Sequence, residues 1–374
     1  MGTSRVSAIV STYNSEKFIR GCLDDLIAQT LYQRGELEIV VVVSGSKEGE
    51  DAVVAEYQQQ HPNIVVVRTQ RESMYAAWNR GIKQASGAYL TNANTDDRHA
   101  PDGIERLARE LDNDSRVALV YGDCYLSTTP NETWQQCSKT RQYLYPDFFA
   151  PGAALHYQLS PQPMWRKSLH DSIGYFESSL RGAGDYDFNI RLAASHRAKH
   201  IGGKPVGLYL VHTGAISFKD NTMKKETDQV TARARTIESI EALYRAEGTP
   251  CVTAEDRARI HADMGIRAMQ YYPPWFEGGS HQEPDFAIEC CNRAYSLAPC
   301  LAVAVNNLAV MLSIAQEFDR AKQLIDTISV SDPIVLANRT ELERLKATGD
   351  LNGNMSFLPS GLDFPSQYEL VFRE

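Results

Sequence analysis

Hydrophobic positions in the first hundred residues alternate between β-branched runs and stripes at helical spacing. Val6 to Val10 is a short apolar run, and residues 18–27 carry apolar side chains on one helical face. Residues 37–43 are almost continuously β-branched, which is typical of a strand buried on both faces of a sheet. The same pattern predicts helices near 49–60 and 73–85, and strands at 64–67 and from residue 88. This alternation predicts a doubly wound α/β sheet.

Polar turns end three of the predicted strands. They cover residues 11–15, 44–46 and 94–97. In open α/β sheets, ligands bind in the crevice outside the carboxyl ends of the strands. We therefore expect all three turns to face one crevice.

The pattern changes near residue 225, where β-branched runs give way to long helical segments, including one expected at about 254–271. Three positions recur at a spacing of roughly 34 residues, the tetratricopeptide period. Ala287, Ala294 and Pro299 correspond to Ala321, Ile328 and Pro333. Fewer than three such repeats rarely stand alone, so we expect this region to pack on the first domain or on a second copy. The predicted organisation is an α/β domain over 1–225, a helical tetratricopeptide-like domain over 226–350, and a surface-docked tail over 351–374.

Composition narrows the choice of partners and compartment. The 374 residues are 43% hydrophobic and carry a formal net charge of −9, so no electrostatic footprint for nucleic acid is evident. No apolar run approaches the roughly 18 residues that a transmembrane helix needs, and no signal-peptide pattern opens the chain. Seven scattered cysteines without a CxxC pair indicate reduced thiols. We expect a cytoplasmic protein, with peripheral contact to the inner face of a membrane as the other possibility.

The third turn contains adjacent carboxylates, Asp96 and Asp97. Two such groups repel each other, and a divalent cation with oxygen ligands relieves that repulsion. Diphosphate oxygens can complete the coordination shell of such a cation. The alternative is a solvent-facing turn, because Asp and Asn are common turn formers. An isolated acidic pair favours the turn, so the neighbouring motifs decide.

Several motifs occur in a fixed order around this pair. They cover residues 10–18, 38–46, 74–87, 94–97, 164–177 and 184–192. In this order, over about residues 5–220, they resemble glycosyltransferase family 2, whose domain has the GT-A fold. The resemblance implies an inverting transfer of a sugar from a nucleotide-diphosphate sugar, most simply a UDP-sugar, with Mn²⁺ or Mg²⁺ as cofactor.

The resemblance also implies roles for individual residues at the nucleotide and metal sites. The first two turns would hold the nucleotide, Arg71 would reach the diphosphate, and Asn79 would bond the ribose or sugar. Arg71 also fits a plain surface arginine, and His212 fits a structural histidine. The implied donor-binding residues are Ser11, Thr12, Tyr13, Ser44, Ser46, Arg71, Asn79, Asn94, Thr95 and Asp96, and the implied metal ligands are Asp96, Asp97 and His212.

The sequence departs from the family pattern at two places. Relatives often carry an Asp pair where this chain has Val43-Ser44, and many carry Asp where it has Asn94. Ser44 can make a single hydrogen bond in that place but carries no charge. The base of the nucleotide therefore stays open.

Asp185 is the implied general base, because inverting transfer needs a carboxylate that takes the proton from the acceptor hydroxyl. Asp187 lies two residues further on and is interpreted as structural, since one Asp of a Gly-Asp-x-Asp helix start can cap the helix. Arg191 follows one turn later and can pair with either carboxylate.

Two rival functions remain on the sequence alone. In the first, the α/β domain is a degenerate scaffold and the helical repeats do the work, by binding a protein or by forming a homodimer. The second is a nucleotidyltransferase, but its Gly-rich basic phosphate loop is absent from residues 11–14. For the transferase, the expected acceptor is a saccharide, a lipid-linked molecule or a protein, in polysaccharide or glycoconjugate assembly.

Overall fold

The computed structural model describes residues 4–212, 222–270, 283–329, 331–348, 354–362 and 372–373. Their contacts divide the chain into two compact units, Met1–Ala234 with Leu370–Glu374, and Arg235–Glu369. The predicted boundary near residue 225 falls within a helix, Thr222–Ala234, that belongs entirely to the first unit. Of the predicted tail over 351–374, only 354–362 and 372–373 lie within the described residues.

Twelve strands occur in the described residues, most of them in the first half of the chain. In chain order they are Val6–Thr12 (β1), Leu37–Ser44 (β2), Ile64–Thr69 (β3), Tyr89–Asn92 (β4), Arg98–His99 (β5), Val117–Gly122 (β6), Cys124–Ser127 (β7), Gln142–Tyr143 (β8), Met164–Arg166 (β9), Arg197–Ile201 (β10), Gly207–Leu210 (β11) and Phe372–Arg373 (β12).

Fourteen α-helices occur in the described residues, and a short 3₁₀ turn covers Ala150–Ala154. In the first unit they are Glu16–Ile27 (α1), Thr30–Gln33 (α2), Glu50–Gln60 (α3), Met74–Gln84 (α4), Gly103–Asn113 (α5), Leu169–Ser172 (α6), Gly184–Ala193 (α7) and Thr222–Ala234 (α8). In the second unit they are Ile237–Ala246 (α9), Ala254–Gln270 (α10), Pro284–Leu297 (α11), Ala302–Ile314 (α12), Phe318–Ile325 (α13) and Pro333–Thr348 (α14).

A seven-stranded mixed sheet forms the centre of the first unit, in the order β10-β6-β9-β4-β1-β2-β3. All neighbours are parallel except β9, which is antiparallel to both β4 and β6. Every residue of β2 is buried, as its β-branched run predicts. Val41 packs into one apolar cluster with α1, while Val40 packs into the other with α4. The predicted α/β sheet, covered on both faces, is confirmed, and so is the helical region that follows it.

A second sheet, in the order β12-β8-β7-β11-β5, was not predicted. Its pair of β11 and β5 is antiparallel, with Leu208 opposite Arg98. Because β5 begins directly after Asp97 and β11 ends two residues before His212, this pairing brings the two candidate segments together. Short strands such as β5, with two residues, give almost no hydrophobic pattern to detect.

The second unit is helical throughout its described length. Helices α11 and α13 begin at Pro284 and Phe318, and the tetratricopeptide-like repeat stays a prediction. The segment 354–362 lies against this unit, through hydrogen bonds with helices α10, α12 and α14. Within the part of the chain that the structure describes, no helix is both long and apolar enough to cross a bilayer.

Glu38 is a buried carboxylate that joins three parts of the sheet, and its removal should destabilise the fold. It accepts hydrogen bonds from the Ser7 hydroxyl and from the backbone N–H groups of Ser86 and Gly87. Glu38→Ala removes the acceptor of the buried Ser7 hydroxyl and of the Ser86 N–H, while the Gly87 N–H keeps Ser7 Oγ, so we expect a loss of about 3 kcal/mol of unfolding free energy. Urea unfolding followed by circular dichroism measures it. The exposed Glu56→Ala serves as the control, and an equal effect in both variants would contradict the assignment.

Candidate active site

The first two polar turns are held together by hydrogen bonds at the ends of β1 and β2. Asn14 has a φ of 51°, a left-handed conformation that Asn tolerates well, and its backbone N–H donates to Ser46 Oγ at 3.1 Å. Ser46 Oγ in turn donates to Glu50 at 2.6 Å, and the Ser15 N–H donates to the same carboxylate at 2.7 Å. The two turns therefore form one rigid edge of the crevice, with Ser46 as their link.

A flat cationic and aromatic surface lies on this edge. The Arg71 guanidinium carbon is 3.7 Å from the centroid of the Tyr13 ring, and Tyr13 is 37% exposed. Gly45 has a φ of +57°, and it permits the close approach of the Arg71 backbone. A Cβ at this position would lie 2.6 Å from the backbone nitrogen of Arg71. A planar, permanently charged guanidinium suits diphosphate oxygens, and an exposed ring can stack on a nucleobase.

Three other residues implied for nucleotide binding serve the turns themselves. The Thr12 and Ser15 hydroxyls are 2.7 Å apart and hydrogen-bonded, and Ser11 is half-buried at the end of β1. Ser44 is buried, and its Oγ accepts a hydrogen bond from the Glu72 N–H at 3.1 Å. The Ser44 hydroxyl thus holds the segment that carries Arg71 and leads into α4, and its role at the nucleotide stays a prediction.

Asp96 and His212 form a pair at the end of β4. His212 Nε2 lies 3.0 Å from Asp96 Oδ2, and the two side chains are 19% and 27% exposed. The ring of Phe18, on α1, packs 5.8 Å from the His212 ring and limits its position. The carboxylate oxygen of Asp96 and the imidazole nitrogen of His212 thus lie side by side at a partly exposed position.

Asp97 has a different environment from Asp96, and its role as a metal ligand stays a prediction. It is buried, its Oδ1 accepts a hydrogen bond from the Leu210 N–H at 3.0 Å, and its Oδ2 accepts one from the Asn94 amide at 3.0 Å. Burial, followed by the nearby Asp96 charge, raises the pKa of Asp97 to about 8. Asp97 therefore ties the acidic turn to β11, and Asn94 assists it.

The buried Arg98 guanidinium supports the acidic turn from below. It donates to the Thr95 carbonyl oxygen at 2.8 Å, to the Asp97 carbonyl oxygen at 2.6 Å, and to Asn131 at 2.8 Å. Thr95 is itself buried, so its backbone belongs to this support. Among the described residues, no group of three His, Cys, Asp or Glu side chains is arranged to hold a metal ion. The protein itself therefore offers a pair of ligands there.

Asp185 lies at the start of α7, partly buried beneath an aromatic residue of α4. Its Oδ1 accepts hydrogen bonds from the Tyr75 hydroxyl at 3.0 Å and from the Tyr186 N–H at 2.9 Å. Burial outweighs these hydrogen bonds and raises the pKa of Asp185 to about 6. Gly184 allows the close approach, because a Cβ there would meet the Tyr75 ring at 2.7 Å. A carboxyl group with this pKa is suited to proton transfer near neutral pH.

Asn79 and Asp187 have structural partners. The Asn79 side-chain amide bonds the Phe176 backbone: its Nδ2 donates to the carbonyl oxygen at 2.8 Å, and its Oδ1 accepts from the N–H at 3.0 Å. This side chain joins α4 to the loop before α7, and its contact with ribose or sugar stays a prediction. Asp187 pairs with Arg191 at 2.8 Å, in agreement with its structural interpretation.

The structural roles of two residues near Asp185 are not predictable from the sequence. Tyr75 lies within one of the family motifs, but nothing in its spacing indicates that its hydroxyl reaches Asp185 on α7. Glu226, on α8, accepts hydrogen bonds from the N–H groups of residues 181–183, at 2.8 to 3.2 Å. No sequence signal marks a carboxylate that binds a loop more than forty positions earlier.

The mixed sheet with polar turns at its strand ends is a GT-A fold. Residues 7–174 match the family model of glycosyl transferase family 2. This match lies within the first unit, so that part of the chain is similar to members of the family.

Curated relatives and solved structures agree with this assignment. The chain is 26% identical over 199 residues to the uncharacterized glycosyltransferase YwdF of Bacillus subtilis (strain 168), covering 53% of this chain and 71% of YwdF. It is 26% identical over 231 residues to the uncharacterized glycosyltransferase EpsJ of the same organism, covering 60% of this chain and 65% of EpsJ. The S. aureus TarS 1–349 structure in complex with UDP has a similar fold, with a TM-score of 0.51, 17% identity and 99% of both chains covered.

The environment of Asp97 predicts that its removal destabilises the first unit. Asp97→Ala leaves the buried Leu210 N–H and the Asn94 amide without an acceptor, so we expect a loss of about 2 kcal/mol of unfolding free energy. Chemical denaturation of both single variants gives the comparison. Asp96→Ala, one residue away and more exposed, should unfold close to the unmodified chain; a larger loss there than in Asp97→Ala would reverse the two roles.

Proposed function

We propose that the chain is an inverting glycosyltransferase that moves a sugar from a nucleotide-diphosphate sugar to an acceptor hydroxyl. The observation that carries this proposal is Asp185, a partly buried carboxyl with a pKa of about 6, held by Tyr75 at the start of α7. The match to the family supports sugar transfer in general. The geometry of the described residues supports the finer assignment of each role.

The nucleotide would bind at the edge formed by the first two turns. Tyr13 offers an exposed ring to the base, and Arg71 offers a guanidinium to the diphosphate. The segment from Arg71 leads directly into α4, which carries Tyr75, so donor binding and the residue that orients the general base share one short stretch of chain. We propose a UDP-sugar as the donor, because UDP is bound in a structure of similar fold, that of TarS 1–349.

Asp96 and His212 are the residues that would hold a divalent cation. Their donor set, one carboxylate oxygen and one imidazole nitrogen, suits Mn²⁺ better than Mg²⁺, which prefers oxygen ligands alone. When bound, the cation would act as a Lewis acid for the charge that develops on the leaving diphosphate. The raised pKa of Asp97 is consistent with its supporting role beneath this pair.

Asp185 would take the proton of the acceptor hydroxyl as that oxygen attacks the anomeric carbon. The bond from the anomeric carbon to the diphosphate oxygen breaks at the same time, so the nucleoside diphosphate leaves from the opposite face with inversion. The Tyr75 hydroxyl orients the carboxylate through Oδ1, which leaves Oδ2 for the acceptor. A saccharide, lipid-linked or protein acceptor, in polysaccharide or glycoconjugate assembly, fits this chemistry, as does a cytoplasmic or membrane-peripheral location.

Asp185→Asn should abolish turnover and leave donor binding intact. We expect a fall in kcat of about 10³-fold, since an amide takes up no proton. A screen of UDP-, GDP- and dTDP-sugars, read by release of nucleoside diphosphate, identifies the donor, and calorimetry then measures its Kd. Turnover retained within tenfold would remove Asp185 from the role.

The pH dependence provides a test that a merely structural role would not pass. Because Asp185 acts in its deprotonated form, kcat should rise with pH through about 6 and level off above it. The Tyr75 hydrogen bond lowers the pKa of Asp185, so Tyr75→Phe should move this ascending limb to higher pH by roughly half a unit to one unit. An unchanged limb in Tyr75→Phe would show that another group controls the profile.

The metal assignment predicts that nucleotide binding depends on Asp96 and His212. Calorimetric titration of UDP with Mn²⁺ should give a Kd at least about tenfold tighter than UDP alone, and Asp96→Ala or His212→Ala should abolish the difference. His61→Ala, at the half-buried end of α3, serves as a matched histidine control. Metal-independent binding of every common nucleoside diphosphate, or no binding at all, would favour the scaffold interpretation over the enzyme.

A further inference from the structure

Two buried asparagine side chains of the helical unit bracket the backbone of the segment 354–362. Asn307 Oδ1 accepts a hydrogen bond from the Leu358 N–H at 2.7 Å, and its Nδ2 donates to the Leu358 carbonyl oxygen at 2.9 Å. Asn338 bonds Ser356 in the same pattern: its Oδ1 accepts from the Ser356 N–H at 2.9 Å, and its Nδ2 donates to the Ser356 carbonyl oxygen at 2.7 Å. Each amide thus replaces the neighbouring strand that an extended peptide would pair with.

The contacts continue at a spacing of two residues along the segment. Arg259 donates to the Ser360 carbonyl oxygen at 2.9 Å, and the Ser360 hydroxyl donates to Asp263 at 2.8 Å. Because alternate residues of an extended chain face the same side, residues 356, 358 and 360 all present their backbone to the helices. Pro359 favours this conformation, since it restricts Leu358 to extended dihedral angles.

The side chains that make these contacts come from three helices, and all except the half-buried Arg259 are buried. Arg259 and Asp263 are on α10, Asn306 and Asn307 on α12, and Asn338 on α14; we call these five residues the asparagine groove. The three asparagines are at most 1% exposed and form a chain, with Asn338 donating to Asn306 at 3.0 Å and Asn306 to Asn307 at 3.1 Å. Buried amides require polar partners, and the segment supplies those that the helices do not.

The segment itself resembles a bound ligand more than a part of the core. Ser360 is its one buried residue, whereas Asn354, Ser356, Pro359 and Gly361 are exposed. Leu358 contributes an apolar anchor, which packs on a cluster that includes Ala258 and Val303. A segment held by backbone hydrogen bonds and so few buried side chains can detach without unfolding of the helices.

We propose that the asparagine groove is a binding site for an extended polypeptide segment of a partner protein, and that residues 354–362 are its resident ligand in cis. Backbone groups are the same in every peptide, so a partner strand in the same conformation makes the same hydrogen bonds. Selectivity comes from two positions: an aliphatic residue where Leu358 lies and a hydroxyl residue where Ser360 lies. The proposal is independent of the transferase activity.

The probe for this site is a fluorescein-labelled synthetic peptide of residues 354–362, titrated into the full chain and followed by fluorescence anisotropy. Ser356→Pro with Leu358→Pro removes two N–H donors from the resident segment, so this released variant should bind the peptide. The unmodified chain should bind at least about tenfold more weakly, because the cis segment competes at high effective concentration. No binding to the released variant would overturn the proposal.

Modified peptides keep the test free of folding defects in the protein. A peptide N-methylated at the Leu358 position loses the hydrogen bond to Asn307 and should bind at least about tenfold more weakly. Methylation at Phe357, whose N–H has no partner among the described residues, should change the affinity less than threefold. Equal affinities of the two methylated peptides would contradict backbone recognition by the groove.

A matched pair of protein variants locates the site. In the released chain, Asn307→Asp keeps the acceptor but places a carboxylate against the Leu358 carbonyl oxygen, so affinity should fall at least about tenfold. Asn292→Asp, on the exposed face of α11, should leave it unchanged. Sedimentation of the unmodified chain covers the remaining occupant: a concentration-dependent dimer that the released variant abolishes would assign the groove to a second copy and overturn the proposal.

Hydrogen exchange on the unmodified chain gives a readout that needs no variant. An excess of the unlabelled peptide should displace the resident segment and accelerate exchange of the Ser356 and Leu358 amides several-fold, with α10, α12 and α14 still protected. Unchanged exchange at these two amides at saturating peptide would show that the segment is a fixed part of the fold.

Discussion

Burial of β2 on both faces is the constraint on which the position of every candidate residue depends. Because every residue of β2 is buried, side chains that contact solvent or a ligand are confined to the strand ends. The parallel pairing of β1 with β2 and β4 then places the second and third turns on either side of the first, which follows β1. The Asn14–Ser46 hydrogen bond closes the remaining gap between the first two turns. The site is therefore a consequence of the core.

Three aspartates show how environment divides a common side chain among different roles. Asp96 is partly exposed beside His212, so its carboxylate is accessible to a cation. Asp97 is buried, and its two carboxylate oxygens accept hydrogen bonds from the Leu210 N–H and the Asn94 amide. Burial raises the pKa of Asp97. In Asp185, burial prevails over two hydrogen bonds, which leaves a pKa suited to a base. Asp96 and Asp97 are adjacent in sequence, so it is their difference in exposure that distinguishes them.

What the sequence could predict follows from the range of each interaction. Periodicity is local, so it indicated β2, α1, α4 and the change to helices near residue 225, each of which depends on nearby residues. Periodicity did not indicate the second sheet, because β5 has only two residues and forms by pairing with β11, more than a hundred positions later. The hydrogen bonds of Asn79 and Ser44 could not be predicted for the same reason: their partners, Phe176 and Glu72, lie in segments whose approach only the fold determines.

The position of Asp185 depends on a further carboxylate whose role is structural. Glu226 accepts hydrogen bonds from three successive N–H groups, those of residues 181–183, directly before α7 begins. These donors have no intrahelical partners, and a negative charge at a helix N-terminus is favourable, so Glu226 stabilises the start of α7 twice over. Tyr75 holds the Asp185 side chain from α4, while Glu226, on α8, holds the loop that leads into α7. Two elements distant in sequence thus fix the position of one carboxyl group.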